Sequence, residues 1–401
     1  MNLARHSGAT VSQPATPAPA ATPGAAAADG KPPFRFYDNR QKYLAFVNTC
    51  NEKSAVARRA AQELSHLRPS PPALRLFDAG MGDATVLARL IRSTHQLFPT
   101  VPLLVVAKEI SLEDVRLGLD KMPDRFFEHP ATVLVITNLN YAEAPRLMPR
   151  DPQAAATLNW QEVRLTGHSA AEYSEQIEAL APTLDYGWQT KPSPKTGNPI
   201  HVRPSVLVIY RDDHKFLLDS VIPKPGRISD SYDLVLASQP WRARMTAEFK
   251  AQKVLAPLAL SLAPNGRMLV IQSFGKDPGL EIIQRLWPNE SPFAVDRHQL
   301  VAALKAELAH NAKDFTFTSH PDEKAVFRYD MHTLPSEISD RIGTSTLYAA
   351  WNAAIYVNQI EDERLEPANN AAYLLATQEV LKEHGGLWFN DETFTVTRRK
   401  P

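Results

Sequence analysis

Near-continuous apolar runs alternate with amphipathic stretches from residue 74 to residue 137, and the alternation resumes at residue 232. A strand that is apolar on both faces has to be covered on both faces, and parallel strands joined by crossover helices achieve this. Residues 74–79, 103–110 and 131–137 read as the first three strands. Residues 83–98 read as a helix with Val86, Leu87, Leu90, Ile91 and Leu97 on one face. Ser111-x-x-Asp114 is a capping box that opens a short helix, which Pro123 ends. The second half repeats the scheme: the core resumes with the run 232–241, followed by a helix over about 245–262, the turn Pro264-Asn265-Gly266-Arg267 and a strand at 268–274. Helical stretches near 296–310, 335–360 and 367–384 precede a last strand at 394–399.

Five segments follow from this pattern. Residues 1–33, rich in Ala, Pro, Thr and Gly, read as a disordered tail, because such a composition buries too little apolar surface to offset its ordering entropy. Residues 34–72 read as a helical lid, one helix running from Asp38 to Leu67 with Cys50 on its apolar face. Residues 73–145 form the first half of the core, 146–230 an α+β insertion expected to cap the substrate, and 231–401 the second half of the core with helical additions. Within the insertion, 206–210 and 216–222 read as a hairpin joined by Arg211-Asp212-Asp213-His214.

Equal numbers of basic and acidic residues, 44 each, give no global field for nucleic acid. A lone cysteine, the lack of a bilayer-length apolar run and the lack of an apolar signal segment fit a cytoplasmic protein with no membrane association expected. Oligomeric state stays open.

The most specific local feature is Asp78-Ala79-Gly80-Met81-Gly82, placed between the first strand and first helix. Glycines there let backbone approach a polar ligand at a helix start. A dinucleotide fingerprint wants a third glycine and an acid about 20 residues further on. Here Ala84 replaces the glycine, and the next strand-terminal acid, Glu109, comes later. An acid before Gly-x-Gly and an acid closing the second strand resemble the class I S-adenosylmethionine-dependent methyltransferases. Tyr232-Asp233-Leu234-Val235 resembles that family's fourth-strand motif, and Leu262-Ala-Pro-Asn-Gly266 its turn into strand five.

The resemblance implies a Rossmann-like, seven-stranded, mostly parallel sheet with helices on both faces and an antiparallel last strand. It implies S-adenosyl-L-methionine as cofactor, with Asp78, Gly80, Gly82, Glu109, Asn138 and Ser238 at the binding site and Glu109 accepting the ribose hydroxyls. Small size suffices at Ala84 for helix–sheet packing. Ser238-Gln239-Pro240-Trp241 departs from the amino-methyltransferase signature at the same place. The expected reaction is methyl transfer to an N or O nucleophile of a small-molecule acceptor by in-line displacement. His214 with Asp212 is the candidate general base, since a histidine beside carboxylates can take a proton. No further ligands stand at metal spacing, so no metal is expected. A nicotinamide-dependent oxidoreductase on a related fold and a non-catalytic binding module are the alternatives.

Overall fold

A computed structural model of the protein describes residues 40–194, 197–226, 231–333, 335–338, 342–365 and 370–400. The expected tail, 1–33, and the Asp38 cap lie outside the described residues. The strands are β1 (Leu74–Asp78), β2 (Leu103–Lys108), β3 (Thr132–Thr137), β4 (Asn159–Leu165), β5 (Thr190–Pro192), β6 (Pro199–His201), β7 (Ser205–Arg211), β8 (Tyr232–Ser238), β9 (Leu262–Ser273), β10 (Phe315–Thr318), β11 (Val326–Asp330) and β12 (Trp388–Arg398).

One ten-stranded sheet runs in the order β10-β12-β9-β8-β1-β2-β3-β7-β4, with β11 also pairing β12. Its inner strands β3, β2, β1, β8 and β9 are parallel. The long β12 runs antiparallel to β9, and its other edge is shared by β10 and β11. The expected seven strands are therefore β3-β2-β1-β8-β9-β12-β10, a Rossmann-like α/β core. The count is corrected to ten because β11 and two insertion strands, β4 and β7, join the same sheet. β7 is buried along its whole length and sits antiparallel to β3. A strand buried at every position needs a partner strand on each edge and cover on each face, and β3 and β4 supply the edges.

The two sheet faces are filled by different helices. Leu76, Val105, Ala107 and Ile136 pack with Leu87 and Leu90 of the helix Thr85–Leu97 and with Val56 and Leu64 of the helix Glu52–Leu64. Phe77, Val106, Val135, Val235 and Val270 pack with Val254, Leu258 and Leu304 on the other side. A third cluster stands apart from both faces. It joins Phe46 and Cys50 to Tyr329, Trp351, Val380 and Phe389, uniting N-terminal and C-terminal helices.

Several local expectations change. The single helix over 38–67 is two, Arg40–Thr49 and Glu52–Leu64. It breaks because Cys50 bridges Met331, and Asn51 exchanges hydrogen bonds with the Asp330 backbone through its own N–H (2.9 Å) and its Oδ1 (2.8 Å). Cys50 is buried, and burial pushes its thiol up to about 12, as suits a core residue. The hairpin at 206–222 is not formed. After β7 the chain makes a 3-10 turn, Asp212–His214, and a helical turn, Lys215–Leu218, of which only Leu218 is buried. The helix over 245–262 contains a π turn, Ala251–Leu255, just before Pro257, whose missing N–H breaks the regular ladder. Among the described residues no helix is long and apolar enough to cross a membrane.

Candidate active site

β1 leads to β2 on one side and lies against β8 on the other, so the topology reverses at β1. Open α/β sheets leave a crevice at the carboxyl ends of such strands. A cavity of about 1070 Å³ occupies that place, lined by Asp78, Gly80, Gly82, Glu109 and Ser238 among others. The five residues predicted from the turn, the second strand and the fourth strand are thus brought together.

The turn is held by the acids themselves. Asp78 Oδ1 accepts the Gly80 N–H at 3.1 Å, and Glu109 Oε2 accepts the Gly82 N–H at 2.7 Å. Glu109 Oε1 accepts the N–H groups of Ile110 (2.7 Å) and Ser111 (2.8 Å). Gly82 has φ +52°, in the left-handed region, and a Cβ there would lie 3.3 Å from the Tyr43 hydroxyl. Glycine adopts this φ without strain, and a side chain there would press on Tyr43. Ala84 also has a left-handed φ of 58°. Small size is therefore not the whole requirement at that position, and alanine there costs about 1 kcal/mol relative to glycine. At the helix start beyond it, Asp83 Oδ1 accepts the first N–H, that of Thr85, at 3.2 Å, and Ala84 at the cap position offers no side-chain bond.

Burial sets the charges. It raises the Asp78 carboxyl to about 6, the Gly80 bond opposing and the nearby Glu109 charge adding. It raises Glu109 too, against the lowering effect of its backbone donors. Lys108, 7% exposed, is lowered to about 8 by burial and lies 4.6 Å over the Tyr141 ring.

Two predicted placements are corrected. Asn138 does not line the cavity. Its Nδ2 donates to Gly187 O (3.1 Å) and Arg203 O (3.2 Å), and its Oδ1 accepts from Ser205 N (2.8 Å), so it ties β3 to the insertion. Asn140, two residues on, lines the cavity instead. His214 and Asp212 are not at the site either. Because β7 is antiparallel to β3, with Tyr210 opposite Val133 and Val206 opposite Thr137, the end of β7 lies beside the amino end of β3. A six-residue strand, roughly 20 Å, separates them from the carboxyl ends. His214 Nδ1 bonds Asp213 at 2.9 Å, and Arg211 holds the Asp213 carboxyl down to about 2.

The described part of the insertion is not the roof: among the described residues of 146–230 only Arg150 lines the cavity. The rest buttresses the acid-bearing loop from behind: Trp188 Nε1 donates to Glu109 O at 2.8 Å, and His201 Nε2 to Ile110 O at 3.0 Å. The roof comes instead from Tyr43, Phe46, Glu52 and Lys53 of the N-terminal helices and from Tyr329 and Tyr356. Sequence patterns read Tyr43 and Phe46 as core and gave no signal for Glu52. The cue available was Glu52-Lys53 directly after an apolar stretch, next to residues too polar for a helix interior.

No family model matches the chain, and no curated protein matches it. Among solved structures the chain is similar to the cyclase SpnF, at 11% identity over 86% of this chain and 82% of that one, TM-score 0.30. It is similar to geranyl diphosphate methyltransferase in complex with SAM, at 10% identity over 87% and 90%, TM-score 0.30. It is also similar to the StiE O-MT segment, at 11% identity over 92% and 83%, TM-score 0.33.

Proposed function

We propose that the protein binds S-adenosyl-L-methionine across the ends of β1 and β2 and transfers its methyl group to a small molecule held beneath the roof. The observation that carries this reading is the bond from the Gly82 N–H to the Glu109 carboxylate, which fixes an acid beside a side-chain-free turn at the reversal point of the sheet. A carboxylate oxygen accepts more than one hydrogen bond, so Glu109 Oε2 keeps acceptor capacity for ribose hydroxyls. Phosphates fit poorly. The helix start they would use has the Asp83 carboxylate on its first N–H, and Asp78, Glu109 and Asp114 all line the cavity. The same acids suit a sulfonium and an ammonium.

The bound cofactor supplies an electrophilic methyl carbon, and the chain's work is to bind, align and exclude water. Gly82 lets the backbone reach the ligand. Asp78, with its carboxyl near 6, is ionised at neutral pH and can pair with the ligand's ammonium. Tyr43, Tyr329 and Tyr356 close the cavity from above, and Ser238 and Gln239 line it at the end of β8.

Calorimetric titration tests the reading. The native chain should bind S-adenosyl-L-methionine, and Glu109→Ala should weaken binding at least tenfold, while NADH produces no heat. Binding of NADH without binding of S-adenosyl-L-methionine would overturn it.

A further inference from the structure

We propose that the acceptor is an amine, held as its ammonium against a wall made by Tyr43, Phe46, Tyr329, Tyr356 and Glu52. This rests on the reading of the cavity as a methyl-transfer site. All five residues line the cavity. The rings pack on one another: Phe46 and Tyr356 centroids are 4.8 Å apart, Tyr43 and Tyr356 5.8 Å, and Phe46 and Tyr329 6.2 Å at 80°. Tyr43 and Tyr356 are half-buried and the more open of the four, backed by the buried Phe46 and Tyr329. Ring faces attract cations, most strongly where water is excluded.

Glu52 supplies the charge. It is 8% exposed, and its Oε2 is buried without a hydrogen bond, although Lys53 Nζ stands 3.3 Å away. That oxygen has an ion-pair neighbour but no hydrogen bond, so it keeps acceptor capacity for an N–H donor. An ammonium offers it charged donors, whereas a neutral hydroxyl offers one weaker donor.

The wall already holds one cation. The Lys53 ammonium lies 5.5 Å from the Tyr43 centroid, beside Glu52. Its pKa stays well above the usual value despite burial, through Glu52, Tyr43, Tyr356 and Asp83. Asp83 gives that ammonium a second acidic neighbour when a ligand takes up Glu52. In the reaction the acceptor ammonium gives one proton to the Glu52 carboxylate. The freed nitrogen lone pair forms the N–C bond, and the carbon–sulfur pair leaves with sulfur. The products are the N-methylammonium and S-adenosylhomocysteine.

3,3-Dimethylbutan-1-amine, an ammonium at neutral pH, and its neutral counterpart 3,3-dimethylbutan-1-ol isolate the charge and its N–H donors. Each is titrated calorimetrically into the full chain, with and without S-adenosylhomocysteine. The amine should bind at least tenfold more tightly than the alcohol. Glu52→Gln should cost about tenfold for the amine and leave the alcohol unchanged, and Tyr356→Leu, with its melting curve as a check on folding, should also weaken the amine. Equal affinities, or no binding of the amine, would overturn the proposal. Failure to bind S-adenosylhomocysteine while the amine is still preferred would count against the cofactor reading and support the wall.

Discussion

Asp78 bears the cost of making this turn. Its carboxyl rises from 3.8 to about 6, chiefly by burial. Between those values the folded chain holds a proton that the unfolded chain has released. The stabilisation is complete below about pH 4 and is lost as pH rises through about 6. Two pH units correspond to about 3 kcal/mol. The substitution Asp78→Asn removes the titration. Its unfolding free energy relative to the native chain should therefore improve by about 3 kcal/mol between pH 4 and pH 7, read by urea denaturation at several pH values. A difference that stays constant with pH would refute the assignment. Asp78, Gly80, Gly82, Glu109 and Ser238 were legible because each stands at a strand end or in the turn beside one, where local pattern fixes position. Glu52, Lys53 and Tyr329 were not. What brings them to the cavity is packing between segments far apart in the chain, which no local period encodes.

At the scale of elements, β7 and its neighbours explain both misplacements. The apolar run at 206–210 was read correctly as a strand, but its direction and partner depend on β3. Antiparallel pairing carries Asp212 and His214 to the far end of the sheet and turns Asn138 into a tie between β3 and the insertion. Loss of three hydrogen bonds of about 1 kcal/mol each should make Asn138→Ala about 3 kcal/mol less stable. Cofactor affinity should be unchanged, as measured by denaturation alongside calorimetry. A stable variant that no longer binds would return Asn138 to the site. The alternation of strands and helices made the parallel core readable. The short β10 and β11 were missed because each is defined mainly by its pairing with β12.

For the whole molecule, the floor of the cavity belongs to the sheet and its roof to a separate apolar cluster built from both ends of the described chain. Ligand binding should therefore slow amide exchange in the helix Arg40–Thr49 and in the turn at 80–84. Residues 212–218, at the opposite end of the sheet, should be unaffected. Hydrogen-exchange mass spectrometry distinguishes this from a cavity roofed by the insertion, which would place new protection within 151–226.

The roof also fixes an order of events. Asn352 Nδ2 donates to the Lys42 carbonyl at 3.0 Å, across 310 residues of sequence. Contacts of that separation close late in folding, after the entropy of a long loop has been overcome. A chain emerging from the ribosome would hold its glycine turn between β1 and the first crossover helix long before Tyr329 and Tyr356 existed to shelter it. The nascent protein would thus pass through a stage with an open, water-filled cradle, and competence for chemistry would arrive only with the closing helices.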